Sequence, residues 1–481
     1  MRRTFLSFLL LVCLLGGIGA ASASLTSSAG DEGPTHGSDS YWPLDGNAGT
    51  DARHYDIRVG YDFARGVLTG RTRIRMVATQ RLTSFSLDLL LPVRSVRVAG
   101  RSARFSKPDR HELLVRPRSP IAAGTPFTVV VRYAGAPRPL AYAGERNWLA
   151  DAHEVVAMNQ PHMAPWWFPS NDHPSDKARY DIRVTVPRGK QVVSNGRLEG
   201  RTVSGARATT HWRMKQPMAT YLAFFAAGDF TIEKGRSKAG IPFYDAVSDQ
   251  LPKADRARAL RVLRRSAAVT DWLQRHLGDY PFATTGGLVT ALPVGFALEN
   301  QSRPTYGSWI YPGVVVHELA HQWFGDSVSI ARWRDIWLNE GFATYEEAAW
   351  SAAHGGPTTA SWLRQMYADW CTAPKDAFWR LDLTDPGPAH VFDSAVYDRG
   401  AMVLAALRNR IGAADLTAVL RRWTREHRGG NGRVSDFEAL AATVSGERLD
   451  GFFDAWLRGG RPPAATAANG LDRSCAGAPP A

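Results

Sequence analysis

The stretch VVVHELAHQWFGD, residues 314–326, carries two histidines four positions apart, with a glutamate directly after the first. Residues four apart in an α-helix lie on one face, one turn apart, so His317 and His321 can bind a single divalent metal ion. Glu318 points about 100° away from His317 around the helix axis, so it is better placed to reach a water molecule beside the ion. The pattern therefore predicts hydrolysis assisted by a metal ion, with two ligands and a base supplied by one helical turn.

The rest of this segment is apolar, which predicts a buried helix over residues 314–324 that ends at Gly325. An ordinary buried helix with two structural imidazoles is the alternative. A glutamate between two histidines at this spacing disfavours it, because that combination is typical of metal-dependent hydrolases.

A third ligand is needed, because catalytic zinc sites use three protein ligands and leave one position open. After eighteen intervening residues, Glu340 follows His321 in DIWLNEGFATYEEAAW. We predict a second helix there, capped by Asp335, with Glu340 in an early turn. Its neighbours are apolar, and a buried carboxylate needs a partner, which the metal ion provides. Asn339 and Thr344 lie beside it and are candidates to orient the ligands.

The amino terminus, MRRTFLSFLLLVCLLGGIGAASAS, has two arginines, an apolar run from Phe5 to Ile18 and then small residues. These features are typical of a secretory signal, so we predict that residues 1–23 are removed and that the protein is secreted, with no stable membrane insertion afterwards. An anchoring helix is the alternative, but the run is shorter than the ~20 residues that span a bilayer. Residues 24–50 are predicted to form a flexible leader.

The next part of the chain alternates apolar and polar residues, as in YDIRVGYDF, RTRIRMVA, FTVVVRY and YDIRVTV. Short strands separated by turn residues predict an all-β sandwich or saddle, assigned to residues 51–235. Helical periodicity starts near Pro252 and predicts a mainly helical domain over residues 236–460, interrupted by a strand at DSVSI. Residues 461–481 are predicted to be a disordered tail. The predicted fold class is α+β with two domains.

Composition narrows the possible partners. The chain has 481 residues and a formal net charge of +13, but its basic residues are scattered along the strands. We therefore predict a cationic surface and no nucleic-acid binding. Two cysteines, Cys371 and Cys475, remain once the signal is removed. They could pair in an oxidising compartment or stay as unrelated thiols, and the sequence leaves both possibilities open.

Several motifs together resemble the gluzincin zinc aminopeptidases, the group of membrane alanyl aminopeptidase and leukotriene hydrolase. The central ones are HELAH at 317–321 and NEGFA at 339–343. WWFPSNDHPSDKARYDI (166–182) and MKQPMATYLAFFAAGDF (214–230) are similar to segments of the family's β domain, and LGDYPF and FFDAWLRGGRPP follow in the family's order. The resemblance covers residues 50–463.

This resemblance implies a β domain followed by a thermolysin-like catalytic domain with one Zn²⁺ ion. The ligands it implies are His317, His321 and Glu340, and Glu318 is implied to be the general base. Many relatives continue with a large helical domain over the active site, so the resemblance also implies a short form with an open cleft.

The resemblance further implies a role for individual side chains outside the zinc motif. Tyr397, in VYDRGAMVLAAL, matches the family tyrosine that donates to the oxyanion. Glu299 and Ala297, in GFALENQ, match the motif that binds the substrate's free amine. Gln160, in AMNQPHMAPWWF, is similar to a glutamine facing the same amine. Phe296 stands where the family has a glycine, so the local geometry of that motif is in question.

The predicted function is a secreted, monomeric zinc aminopeptidase that hydrolyses the first peptide bond of peptides with a free N-terminus. A thermolysin-type endopeptidase shares the zinc pattern, but Glu299 and Gln160 disfavour it. A binding module without activity is disfavoured because the ligands and the base are intact. No feature of the sequence independently supports epoxide hydrolysis.

Overall fold

The structure is a computed structural model that describes residues 39–372 and 376–472. Its first half is built from strands: β1 (Thr50–Asp62), β2 (Val67–Ala78), β3 (Phe85–Asp88), β4 (Val93–Val98), β5 (Arg101–Ser102), β6 (Arg104–Ser106), β7 (Glu112–Arg116), β8 (Pro126–Gly135), β9 (Trp148–Ala150), β10 (Val155–Ala157), β11 (Ala178–Pro187), β12 (Gln191–Ser194), β13 (Arg197–Ser204), β14 (Arg207–Met218) and β15 (Phe225–Gly228). They form an eight-stranded sheet in the order β13-β14-β11-β1-β2-β8-β4-β5, a four-stranded sheet β12-β15-β10-β9 and a three-stranded sheet β3-β7-β6.

The alternating sequence pattern explains the large sheet. Along β1, the side chains of Tyr55, Ile57 and Val59 are buried, while the residues between them are more exposed. Successive side chains of a strand point to opposite faces, so this spacing puts all three in the core. The predicted β domain and its strands at YDIRVGYDF, RTRIRMVA, FTVVVRY and YDIRVTV are therefore confirmed.

The second half is mainly helical, as predicted. Its helices are α1 (Lys253–Leu263), α2 (Ser266–Leu277), α3 (Pro312–Ala320), α4 (Trp337–Ala353), α5 (Thr359–Thr372), α6 (Asp376–Arg380), α7 (Gly400–Ile411), α8 (Ala413–Glu426), α9 (Val434–Ser445) and α10 (Asp450–Phe453). Short π-helical segments precede α7 (Ala395–Arg399) and follow α10 (Asp454–Arg458). The α+β fold with a β domain before a helical domain is confirmed.

A second four-stranded sheet joins the two halves. It consists of β16 (Phe230–Arg236), β17 (Pro242–Ser248), β18 (Thr285–Val289) and β19 (Thr305–Tyr306), in that order. The predicted strand at DSVSI appears as β20 (Ser329–Ile330), which pairs in parallel with β21 (Asn431–Gly432). The predicted domain boundary at residue 235 falls near the end of β16, and the exact bounds stay a prediction.

Both ends of the described chain differ from the flexible segments that the sequence predicts. Asp39 is buried and accepts a hydrogen bond from the backbone N–H of Trp333 at 2.8 Å, so the last part of the predicted leader is packed. At the other end, Leu471 is buried and the carbonyl of Pro463 accepts a hydrogen bond from Tyr367 at 2.6 Å. Polar backbone contacts of this kind leave little hydrophobic pattern in a sequence.

Two predicted features, the secretory signal and the possible pairing of the two cysteines, lie wholly or partly outside the described residues. The secretory signal 1–23, and the cysteine at position 475, are outside the described residues, while Cys371 is exposed with a free thiol. Across the described part of the chain, no helix is both long and apolar enough to cross a membrane.

Candidate active site

The zinc motif lies at the carboxyl end of α3, which is shorter than the sequence predicts. The helix ends at Ala320, not at Phe324, and His321 is its C-terminal cap residue. The chain continues in a tighter turn, where Trp323 donates to the carbonyl of Ala320 at 3.0 Å. His321 keeps helical dihedral angles, so it still lies one turn from His317 on the same face.

The turn after α3 is held by a half-buried lysine from the β domain. The ammonium of Lys177 donates to the carbonyls of Asp326 at 2.8 Å and Ser327 at 2.9 Å. Burial lowers the pKa of Lys177 to about 7, against the raising effect of Asp326. The β domain therefore fixes the backbone immediately downstream of the second histidine.

Helix α4 brings the third predicted ligand to the histidines. The Oε2 atom of Glu340 lies 3.4 Å from Nε2 of His317 and 3.3 Å from Nε2 of His321. Ligand atoms bound tetrahedrally to zinc at 2.0–2.2 Å lie about 3.4 Å from each other, so these separations fit one zinc ion. All three residues are buried. The structure thus brings the three predicted ligands together at one point.

Each histidine is oriented by a second contact on its other ring nitrogen. Nδ1 of His317 lies 2.9 Å from Oε1 of Glu347, and Nδ1 of His321 lies 3.0 Å from the carbonyl oxygen of Phe324. These partners favour the Nδ1–H tautomer and leave both Nε2 atoms free for a metal ion.

Asn339 and Thr344, the residues predicted to orient the ligands, make no side-chain hydrogen bonds to them in the described part of the chain. Among the described residues, neither the side-chain amide of Asn339 nor the hydroxyl of Thr344 has a hydrogen-bond partner.

Asp335 does not cap α4, contrary to the prediction, because a 3-10 turn leads directly into that helix and Ile336 is already helical. Its Oδ1 accepts instead from the N–H of Val434, the first residue of α9, at 3.3 Å.

A close crossing of two helices positions Tyr397 beside the metal ligands. A Cβ atom on Gly341 of α4 would lie 2.7 Å from the Cα of Gly400, the first residue of α7. This contact excludes any larger side chain and brings the π-helical segment before α7 against α4. As a result, the ring of Tyr397 stacks on that of His317, with centroids 6.0 Å apart and planes 18° apart.

The residues predicted to bind an amine lie on the opposite wall. Leu298 exchanges two backbone hydrogen bonds with Thr305 of β19, at 2.9 and 2.8 Å, which places Ala297 and Glu299 at the edge of the second sheet. Nε2 of Gln160, from the β domain, donates to Oε1 of Glu299 at 2.9 Å. The structure therefore brings Gln160 and Glu299 together across the two domains.

All eight predicted site residues line one cavity of about 290 Å³: Gln160, Ala297, Glu299, His317, Glu318, His321, Glu340 and Tyr397. Phe296 and Tyr311 line its mouth and are 41% and 50% exposed. The phenylalanine in place of the family's glycine therefore points away from the buried end of the cavity, and Glu299 keeps its contact with Gln160.

Burial and charge set distinct protonation states in this cavity. Burial raises the pKa of Glu318 to about 8, although the two histidines lower it. Burial also raises the pKa of Glu340, but the neighbouring histidines outweigh it and bring the pKa to about 2. The pKa of Tyr397 lies well above its usual value because of burial and the carboxylates of Glu340 and Glu299. The phenol is therefore a neutral hydrogen-bond donor.

Sequence reasoning missed two residues of the site. Glu347 follows Glu340 by seven residues, about two helical turns, so both side chains lie on the same face of α4. That spacing could have indicated that Glu347 lies near the metal ligands. Gln322 had no such signal, because its contacts are distant in sequence. Its Nε2 donates to the backbone carbonyl of Glu299 at 3.2 Å and its Oε1 accepts from the N–H of Ser302 at 2.6 Å. Gln322 therefore links the loop that contains Glu299 and Ser302 to the end of α3.

Comparisons with known proteins agree with this fold and geometry. A model of the peptidase family M1 domain matches residues 285–456, and a model of the peptidase M1 N-terminal domain matches residues 51–222. The first match contains the three-ligand cluster and the second contains Gln160. The chain belongs to peptidase family M1, whose solved members include zinc metallopeptidases, and its cofactor is a single catalytic zinc ion.

The individual curated relatives share about a quarter of the aligned residues with this chain. Endoplasmic reticulum aminopeptidase 1 of Homo sapiens is 26% identical over 83% of this chain and 46% of its own length. Aminopeptidase M1-D of Oryza sativa is 25% identical over 84% of this chain and 49% of its own. The chain spans about half the length of these curated relatives.

One solved structure is similar to this chain over nearly the whole length of the solved protein. It is a glutamate-to-alanine variant of an M1 zinc metallopeptidase from Deinococcus radiodurans, bound to a Tyr-Ser-Ala substrate. It has a TM-score of 0.79 and 27% identity, and the match covers 88% of this chain and 98% of that one.

The contact between Glu347 and His317 predicts a measurable effect on metal affinity. Glu347→Gln removes the charge that orients the imidazole, so zinc affinity should fall by about 10–100-fold. Competition with a chromophoric chelator measures it. Glu426→Gln, on an exposed surface of α8, is the matched control and should leave the affinity unchanged. Equal affinities for the native protein and Glu347→Gln would contradict this account.

Proposed function

We propose that this protein is a secreted zinc aminopeptidase that hydrolyses the first peptide bond of peptides with a free N-terminus. The observation that carries the proposal is the pairing of Gln160 with Glu299 beside the three-ligand cluster. A carboxylate oxygen of Glu299 lies within 4.8 Å of a ring nitrogen of His321, so this buried group offers a charged amine a partner and would fix where the chain is cut.

The zinc ion is held by His317, His321 and Glu340, whose separations fit it. When bound, it polarises the scissile carbonyl and increases the acidity of the attacking water. The residues of the chain supply the remaining steps.

Glu318 is the proposed general base. It lies in the same cavity as the ligands and is 4% exposed, and its neighbour His317 is one of them. Burial favours the neutral form of this acid, and the positive charge of a bound zinc ion would favour its carboxylate. That carboxylate accepts a proton from the attacking water and then gives it to the leaving nitrogen, so the carboxylate is regenerated at the end of the cycle.

Tyr397 is the proposed donor to the carbonyl oxygen as negative charge develops on it. Its phenol is neutral, it lines the same cavity as Glu318, and its ring stacks on that of His317. One such donor contributes about 2.7–4 kcal/mol to lowering the barrier where donors of this kind have been removed.

A thermolysin-type endopeptidase is not favoured. Such an enzyme must accept polypeptide on both sides of the cut, whereas here Glu299 and Gln160 occupy the wall where the preceding residues would lie. A substrate with an acylated N-terminus would place an uncharged group against a buried carboxylate, which is costly.

Secretion is supported by the amino-terminal sequence alone, where two arginines precede an apolar run and small residues. Expression of the whole chain in a bacterial host, followed by N-terminal sequencing of the exported protein, tests it. A mature chain beginning near residue 24 is expected. Retention of Met1 on an active, unexported protein would contradict the proposal.

The general-base assignment is tested by Glu318→Gln. This variant preserves shape but cannot accept the proton, so turnover should fall by about 10²–10⁴-fold. Zinc content should stay at the native level, because Glu318 is not a ligand. Hydrolysis of amino acid anilides and elemental analysis of the same sample measure both quantities. Native turnover in a zinc-loaded variant would refute the assignment.

The amine assignment is tested by Glu299→Ala with a pair of inhibitors that both bind zinc, an amino acid hydroxamate and its analogue without the amino group. Loss of the charged partner should weaken the amino compound by roughly 2 kcal/mol or more, about thirtyfold. The analogue should bind as it does to the native enzyme. An equal loss for both compounds would contradict the amine role and indicate a damaged zinc site.

A further inference from the structure

A second buried cluster of metal-ligand type lies in the β domain, away from the cavity described above. It is formed by Asp88 at the end of β3, Glu112 at the start of β7, and His111 just before it. Asp88 and Glu112 are directly paired across the two antiparallel strands. One ligand atom from each of the three residues lies within 4.8 Å of the others. All three side chains are buried, with 0–2% exposure.

Two of the three buried side chains, His111 and Glu112, lack hydrogen bonds of normal geometry among the described residues, whereas Asp88 accepts three. Within residues 39–372 and 376–472, neither ring nitrogen of His111 and neither carboxylate oxygen of Glu112 has a hydrogen-bond partner. Nδ1 of His111 lies 3.7 Å from Oδ1 of Asp88 and 3.6 Å from Oε1 of Glu112, too far for hydrogen bonds. Buried polar groups without partners are rare in proteins and point to a missing partner.

The spacing of the cluster matches that of a metal site. Tetrahedral ligands at zinc distances lie about 3.4 Å apart. In the catalytic site the corresponding separations from Glu340 are 3.4 and 3.3 Å, and around Nδ1 of His111 they are 3.7 and 3.6 Å. A shift of a few tenths of an ångström in one flexible carboxylate closes the difference.

The surroundings of the cluster also resemble those of a metal site. Nε2 of His111 faces Oδ1 of Asp45 at 3.7 Å, longer than a hydrogen bond, while the imidazole stacks on the ring of Tyr142 with centroids 4.0 Å apart. A histidine that binds metal through one nitrogen usually donates its other N–H to a carboxylate, and Asp45 is the carboxylate on that side of the ring. Asp88 is itself fixed by the N–H of Asp172 at 2.6 Å and the amide of Asn47 at 3.0 Å.

The balance of charge favours a bound cation. Five carboxylates meet around the cluster: Asp45, Asp88, Glu112, Glu145 and Asp172. The cations facing them are His111, His162 and Lys107, whose ammonium donates to the carbonyl of Leu89. Asp45, Asp88, Glu112 and Asp172 are buried, so their ionised forms repel one another in a poorly solvated region, and a bound cation would relieve that repulsion.

We propose that Asp88, His111 and Glu112 bind a second divalent transition-metal ion, held by Nδ1 of the histidine and one oxygen of each carboxylate. One imidazole with two carboxylates suits zinc or manganese better than calcium, which takes oxygen ligands alone. The ion is structural, since the catalytic ligands lie in the other domain.

The proposed ion joins parts of the chain that are distant in sequence. It connects β3 to β7 directly, and it fixes the imidazole that stacks on Tyr142, whose hydroxyl donates to Asp45 at 2.8 Å. Oδ2 of Asp45 in turn lies 2.6 Å from Nε2 of His162, two residues after Gln160. Metal binding therefore stabilises the loop that forms the β-domain wall of the catalytic cavity.

Metal stoichiometry tests the proposal. The purified full chain, loaded with zinc and dialysed, should hold about two metal equivalents, one at each three-ligand site. Glu112→Gln, which preserves shape, should hold about one. Glu447→Gln, a half-exposed carboxylate in the helical domain, is the matched control and should hold the native amount. A native stoichiometry of one, unchanged by Glu112→Gln, would overturn the proposal.

A second measurement separates metal loss from misfolding. In a His317→Ala/His321→Ala background the catalytic site cannot bind zinc, so added zinc should raise the Tm only through the second site. His111→Gln in that background should abolish the rise, while His390→Gln, at an exposed histidine, should preserve it. A zinc-dependent rise that survives His111→Gln, or no rise in the parent background, would contradict the proposal.

Discussion

The structure depends on one constraint: two imidazoles from α3 and one carboxylate from α4 must meet at a single point. The separations of 3.3 and 3.4 Å between the ligand atoms leave room for one zinc ion and for little else. Three buried carboxylates, those of Glu299, Glu318 and Glu340, line this part of the cavity, so a bound cation would relieve their mutual repulsion. The packing of α3 on α4, the contact of Gly341 with Gly400, and the π-helical segment that carries Tyr397 all serve to hold this point in place.

The β domain is part of the site as well as a support for it. Its Lys177 fixes the turn after His321, and its Gln160 contacts Glu299 across the cavity. The catalytic domain supplies the three clustered ligands, while the pair proposed to bind the substrate's amine has one member from each domain. On the proposed function, both domains would therefore contribute to the position of the cut.

The sequence predicted those features that depend on local spacing. The alternation of apolar and polar residues predicted the strands of the β domain. The HELAH and NEGFA motifs predicted the ligands, because the spacing of residues along the chain can be recognised without knowledge of the fold. It missed β18, whose five residues include two glycines and are buried on both faces, so no alternation exists. It also misjudged Asp335 and the end of α3, and overlooked Gln322, because their contacts are made by segments far away in the chain.

Anomalous diffraction at the zinc absorption edge, from crystals of the purified protein, tests the central claim most directly. The account predicts a peak that lies about 2.0–2.2 Å from Nε2 of His317, Nε2 of His321 and an oxygen of Glu340 together. A fully ordered structure from zinc-containing crystals in which those three side chains diverge, with no peak between them, would contradict it.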